Sequence, residues 1–242
     1  MIDAQHEIEL GLTPKTKRYD RRPGVFYPTE SFICQRRLYF RLTNTPAREG
    51  SKPPLGLFKM GVAAELAVIE ALTVALEPRG YTIVSQQQAR YKTGRIDIHG
   101  FADFVVTDPD GEQYVGEIKS TTSKAQLKSS TPQKYHYGQL QCYLGIFGIP
   151  QGCVLYVDRS DICKTNQIRR PFSQEDFDTI MGNFESVLDN INDGEAPDGY
   201  SKPVYECRYC EYNHLCSRSA QAKKSNKYAS MFQTKLKELN GQ

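Results

Sequence analysis

The apolar positions of this chain switch between two rhythms. From Phe58 to Leu76, the residues Leu66, Val68, Ile69 and Leu72 keep the three- and four-residue spacing of a helix, and Pro78 with Gly80 end it. The pattern then shortens to alternation. Tyr81–Val84, Ile96–Thr107 and Gln113–Lys119 read as strands, the last two joined by a turn over Asp108, Pro109, Asp110 and Gly111. Helical spacing returns over Pro132–Phe147, a strand follows at Cys153–Asp158, and Asn166–Arg170 pairs beside it. Phe172–Ile191 predicts a helix with Ser173 as its N-cap. Upstream, Thr29 or Ser31 caps a helix running to Leu42, with Phe32, Leu38, Tyr39 and Leu42 on its apolar face. Residues 43–55 hold Pro46, Gly50, Pro53 and Pro54 and read as a loop; a final basic helix is expected over Ala220–Leu239. Helices and strands alternating around one sheet make an α/β design. The expected division is a polar arm over 1–26, a core over 27–206 and a C-terminal segment over 207–242.

Composition narrows the class. The chain has 242 residues, 39% hydrophobic and 24% charged, which is ordinary globular material. No apolar run approaches the roughly 20 residues of a membrane span. The first residues, Met1 to Glu7, are polar and acidic, unlike a secretory leader, so a cytoplasmic location is expected. In that setting seven cysteines argue for metal or chemistry before disulfides. Net charge is only +3, but Lys15, Lys17, Arg18, Arg21 and Arg22 cluster near the start, Arg36, Arg37 and Arg41 follow Cys34, and six cations from Arg218 to Lys237 crowd the tail. Such clusters suit a phosphate backbone or are solvated faces.

The chemistry-bearing residues lie on the predicted strands. Asp103 falls within Ile96–Thr107, and Glu117 and Lys119 lie on the next strand. Residues two apart on a strand share a face, so Glu117 and Lys119 project together, with Asp103 facing them from the neighbouring strand. Two carboxylates gather a hard divalent cation such as magnesium, and the carbonyl of Ile118 can complete its shell. A nearby lysine orients a water and neutralises charge on a phosphate. Together these are equipment for metal-assisted phosphodiester hydrolysis, and a surface ion pair across a hairpin is the plain alternative. Asp97 and His99 form a rival pair on the same strand.

A second constellation is made of cysteines: Cys207, Cys210 and Cys216 near the end, and Cys34 far upstream. Four thiolates suit an iron–sulfur cluster or a zinc ion, and His214 could replace one cysteine in a zinc site. Either metal would tie the two ends of the chain together. Cys142, Cys153 and Cys163 read as structural. Tyr209 and Tyr212 beside Arg208 either stack on bases of a single strand or pack in a core.

Asp103, Glu117-Ile118-Lys119 and the downstream Gln139-Leu140-Gln141-Cys142-Tyr143 resemble the PD-(D/E)XK nuclease superfamily in its RecB-like branch. The resemblance implies a restriction-endonuclease-like core, a mixed central sheet flanked by helices, with an iron–sulfur-clamped helical annex. It implies that Gln139 and Tyr143 position DNA and the active site. It also implies a histidine ligand on an earlier helix, where this chain has Gly61-Val62-Ala63-Ala64-Glu65. Alanine stands in that slot. Glu65 is then a substitute ligand, an outer group holds a water there, or activity is weak or lost. With Cys34, Cys207, Cys210 and Cys216, residues 27–216 look like the CRISPR-associated RecB-like exonucleases, whose four cysteines hold a [4Fe–4S] cluster. The implied function is a Mg2+- or Mn2+-dependent exonuclease on single-stranded DNA ends, working with an integrase complex in spacer acquisition; a homo-oligomer is a further option. The rivals are a non-catalytic DNA-binding or assembly module and a repair or phage recombination nuclease.

Overall fold

The computed structural model describes residues 22–48, 55–198, 207 and 210–216. The expected arm up to residue 21, the basic helix over Ala220–Leu239, and Tyr209 lie outside them. The chain divides into two compact units, with boundaries at Ile33/Cys34, Lys52/Pro53 and Ser186/Val187.

The larger unit is built on six strands: β1 (Val25–Phe26), β2 (Thr82–Thr93), β3 (Ile96–Thr107), β4 (Gln113–Thr121), β5 (Gln151–Asp158) and β6 (Asp161–Pro171). The sheet is mixed: β1 with β3 and β4 with β5 are parallel, and the other pairs are antiparallel. Helices cover both faces. The helix Lys134–Phe147 connects β4 to the parallel β5, as a crossover must. Its Leu140, Tyr143 and Leu144 pack on Ala102, Val105, Val115, Val154 and Tyr156. On the opposite face, Ala64, Val68 and Ile69 of the helix Leu55–Leu76 pack on Phe104, Val106, Ile118 and Val157. Both clusters are almost wholly apolar, as burial without hydrogen-bonding partners demands. In chain order we call the helices α1 (Gln35–Leu42), α2 (Leu55–Leu76), α3 (Lys134–Phe147) and α4 (Gln174–Asp193).

Three expectations need correction. The helix foreseen from Thr29 or Ser31 does not form. Pro28–Glu30 make one 3-10 turn, Phe32 takes φ of 60°, and the helix starts only at Gln35 with Cys34 at its N-cap. Phe32 instead stacks on Tyr137 of α3, where Gly138 leaves room; a Cβ there would come within 2.6 Å of the Phe32 ring. The strand foreseen at Tyr81–Val84 runs on to Thr93, and the one at Asn166–Arg170 starts at Asp161. Both are sheet edges. Each buries one residue, Ala89 or Ile168, so neither carries the alternation that marks a half-buried strand. Residues 25 and 26, expected to end a polar arm, form β1, and Phe26 is fully buried against Phe184. Ser173 does cap α4, its hydroxyl accepting the Asp176 N–H at 3.2 Å.

The smaller unit contains α1, which buries Leu38 and Leu42. Arg37 pairs with Glu211 at 3.0 Å, the Arg48 N–H donates to the Glu211 carbonyl, and Phe40 packs on Tyr212. Among the described residues no helix is long and apolar enough to cross a membrane.

Candidate active site

The site begins as a gap in the sheet. One edge of β3 is paired with β2 along its length. The other edge is shared: β1 takes Asp97 and Ile98, and β4 takes Phe104 to Thr107. Between them β3 has no strand partner on that side, and side chains take over. The Tyr143 hydroxyl donates to the Phe101 carbonyl at 2.7 Å. The Ile118 N–H, just past the last β4 pair, donates to Asp103 Oδ2 at 2.6 Å. Gly100 makes the close packing possible, since a Cβ there would lie 2.8 Å from Pro28 and 3.1 Å from the Tyr143 hydroxyl.

Asp103 also marks a break in the alternation of β3. Ala102 and Val105 belong to the core under α3, whereas Phe104 and Val106 belong to the core under α2. Strict alternation would put 102 and 104 on one face, so the strand is re-aimed at 103. The register places Gln86 opposite, between the pairs Ser85–Phe104 and Gln87–Ala102, and Gln86 adopts φ of 50°. A non-glycine residue in that region inside a strand is strained, and such strain gathers at functional sites. Neither feature has a sequence signal.

Glu117 and Lys119 project together from β4. Lys119 Nζ donates to Glu117 Oε1 at 2.5 Å and to Gln139 Oε1 of α3 at 3.1 Å. Glu117 is 1% exposed, and its Oε2 has no hydrogen-bond partner among the described residues. Glu65, on α2, accepts from the Gln86 amide at 2.5 Å and feels the charge of Asp103. Burial pushes all three carboxyls above their ordinary range. For Asp103, burial and then the charge of Glu117 carry it up to about 7. Burial pulls the Lys119 ammonium down, but Glu117 and Asp103 outweigh it, so the lysine stays charged. Tyr143 lies in the core and meets the site through Phe101 of β3 rather than through a hydrogen bond to Lys119.

Among the described residues no three His, Cys, Asp or Glu side chains form a ready ligand set. The donor chemistry nevertheless fits a hard divalent cation. Two buried carboxyls face each other, one keeps an orphaned oxygen, and a third carboxylate is within electrostatic reach. A buried unpaired carboxylate oxygen is costly unless a cation or proton meets it. The Asp97–His99 pair stands elsewhere: His99 Nε2 lies 2.8 Å from Asp97 Oδ1, at the end of β3 that pairs with β1, and Arg90 approaches Asp97 at 3.6 Å. Ala64 is 6% exposed within the apolar cluster under α2.

The cysteines fall in the smaller unit. Cys34 caps α1, the Cys210 N–H donates to the Cys207 carbonyl, and Cys210 Sγ accepts the Tyr212 N–H at 3.4 Å. Burial is the main cause that raises the Cys210 thiol, with Glu211 and then Cys34 adding to it. An amide donor on sulfur suits a thiolate ligand. Tyr212 is 3% exposed and packs on Phe40, which answers the choice between base stacking and core packing for this residue. Arg36 donates to the Pro197 carbonyl and Arg37 to Glu211, so both arginines expected at a phosphate backbone make contacts within their own unit. Cys142 and Cys153 are buried, and burial pushes the Cys142 thiol up to about 12.

Residues 30–217 match the family model described as the PD-(D/E)XK nuclease superfamily. A CRISPR-associated exonuclease Cas4 of Saccharolobus solfataricus is 28% identical over 119 residues, which are 49% of this chain and 52% of that protein. The chain therefore matches about half the length of this curated relative. Among solved structures, SSO0001 superposes with a TM-score of 0.55 at 16% identity, covering 88% of this chain and 93% of the other. The alkaline exonuclease LHK-Exo of Laribacter hongkongensis superposes at 0.51 and 14% identity, covering 72% and 90%. Its complex with dAMP gives 0.53 at the same identity and coverage. These distant structures share the fold, and the family match runs over most of the sequence: the chain belongs to the PD-(D/E)XK nuclease superfamily.

Proposed function

We propose that the protein is a Mg2+- or Mn2+-dependent deoxyribonuclease that degrades single-stranded DNA from an end. One observation carries the reading: two buried carboxyls, one with an orphaned oxygen, stand beside a charged lysine where β3 and β4 separate. Asp103, Glu117 and the Ile118 carbonyl would hold the cation, with Glu65 in the place of the family's histidine. When bound, the cation supplies the charge that makes a water nucleophilic and screens the phosphate. Lys119, held by Glu117 and Gln139, orients that water and meets the charge that develops on the phosphate. Tyr143 keeps β3 in place at Phe101, two residues before Asp103.

Exonuclease action follows the CRISPR-associated exonuclease relative by analogy, while action on single strands, a role in spacer acquisition and work beside an integrase complex are carried by the family resemblance of the sequence. The same resemblance carries a [4Fe–4S] cluster on Cys34, Cys207, Cys210 and Cys216, which the amide donor on Cys210 Sγ favours over an inert thiol. A cytoplasmic site of action and a homo-oligomer belong to the same reading. End-labelled single-stranded DNA incubated with magnesium or manganese tests it. Metal-dependent shortening that Glu117→Gln abolishes is expected; no cleavage of any DNA would leave a DNA-binding module of the same fold. Alanine at 64, in the slot of the family's histidine, keeps that second reading open. An unaltered chain inert on every DNA, with cleavage gained by Ala64→His, would support it.

A further inference from the structure

His136 belongs to none of the motifs, yet it stands beside them. It lies three residues before Gln139 on α3, so the two share a helix face. Lys119 and Tyr156 are directly opposite each other on β4 and β5, so they share a sheet face. The helix face meets the sheet face in two parallel contacts: Gln139 accepts from Lys119 at 3.1 Å, and His136 Nδ1 lies 2.8 Å from the Tyr156 hydroxyl.

The hydroxyl fixes the histidine's tautomer. The Gln133 N–H donates to the Tyr156 oxygen at 3.0 Å. With that donor on one lone pair, the hydroxyl proton still needs an acceptor, and among the described residues His136 Nδ1 is the one within reach, so the network gives the proton to Nδ1. An imidazole that accepts at Nδ1 carries its proton at Nε2. Burial, and then the charge of Lys119, pull His136 down to about 3, so the ring stays neutral and this tautomer persists. No protein group among the described residues pairs with Nε2, and Nε2 is not among the buried unpartnered atoms. On this half-buried ring a fixed donor is therefore left for a ligand next to the charged lysine.

We propose that His136 is a DNA-binding residue: its imidazole, locked by Tyr156 with the proton on Nε2, donates a hydrogen bond to a backbone phosphate oxygen of the strand held beside Lys119. This rests on the nuclease reading above and adds a named contact to it. A neutral donor suits the place, because a second cation against Lys119 would repel it, while a phosphate oxygen accepts from either. Base identity plays no part in such a contact.

The test measures affinity, so it does not depend on turnover. A fluorescein-labelled single strand is titrated by anisotropy, with calcium in place of magnesium, against the unaltered chain, His136→Ala, His136→Gln and Tyr156→Phe. His136→Ala should weaken binding roughly ten-fold, as expected for one hydrogen bond to a charged acceptor. His136→Gln, whose amide nitrogen stands in for Nε2, should recover most of the loss, and Tyr156→Phe should fall between. Replacing the phosphates one at a time by uncharged methylphosphonates then locates the contact. One position should weaken the unaltered chain but not His136→Ala. Equal affinity for His136→Ala and the unaltered chain, or the same methylphosphonate penalty in both, would overturn the proposal and leave the nuclease reading intact. An unaltered chain that binds no DNA would sink both.

Discussion

Asp103 is pulled two ways. Burial and then Glu117 favour the neutral acid, while the Lys119 charge and then the Ile118 N–H favour its carboxylate, and the first pair wins. Its folded pKa, about 7, lies above its ordinary value of 3.8. A group shifted in that direction contributes stability that is full below pH 4 and is lost as pH rises through 7. The metal-free protein should therefore lose on the order of 2–4 kcal/mol from this site between those limits. Asp103→Asn should flatten that dependence and raise Tm at pH 8, read by thermal melts in chelator. Magnesium should restore stability to the unaltered chain alone. At Lys119 the held geometry matters: Gln139→Ala removes one of its two anchors and should lower kcat by roughly 10-fold, whereas Lys119→Ala should abolish cleavage. Gln86→Gly relaxes a strained backbone but frees Glu65, so Tm should rise by a little while the metal concentration needed for activity rises several-fold. Glu117 and Lys119 were legible in the sequence because strand alternation brings them to one face, with Asp103 expected on the neighbouring strand; Gln139 was legible only through the family resemblance. Gln86 and His136 were not, since what matters about them is a dihedral angle and a tautomer.

Between elements, the fork of β3 from β4 does the positioning, and two close approaches hold it, at Gly100 and at Gly116. Gly116 lies opposite Phe104, whose ring fills the missing side chain's place at 1.9 Å from where a Cβ would be. Gly116→Val should displace that ring from the core under α2 and cost about 3 kcal/mol or more. Denaturant midpoints would measure the loss. Ala64→His puts an imidazole into the same core and should cost about 1–3 kcal/mol for overpacking alone. The buried strands β3, β4 and β5 and the helices α3 and α4 could be read from the apolar pattern, because each buries a face. The edge strands β2 and β6 could be read only in part, having almost nothing to bury. The split of the first helix turned on Phe32, whose contact lies on α3, more than a hundred residues away in sequence.

At the scale of the molecule, the catalytic candidates all fall in one compact unit and the four cysteines in the other. The cysteine unit has cohesion of its own, from the Arg37–Glu211 pair and the Phe40–Tyr212 contact. A surface ion pair is worth at most about 1 kcal/mol, far less than a metal crosslink. Cys34→Ala should therefore reduce iron content and soluble yield, whereas Arg37→Ala should leave iron unchanged and lower Tm by only a few degrees. Iron and sulfide analysis of anaerobically purified protein, with melts, separates the two. Stoichiometric zinc in place of iron would overturn the proposed cluster.

The short hydrogen bond from the Ile118 amide to Asp103 gives the protein an internal gauge. A backbone proton aimed at a carboxyl oxygen moves downfield when that oxygen carries full negative charge. The Ile118 amide resonance should follow Asp103 with a midpoint near the carboxyl's own, about 7. Added magnesium should drive it to its alkaline position at neutral pH, so a single nuclear resonance would report cation occupancy at the strand fork before any DNA is cut.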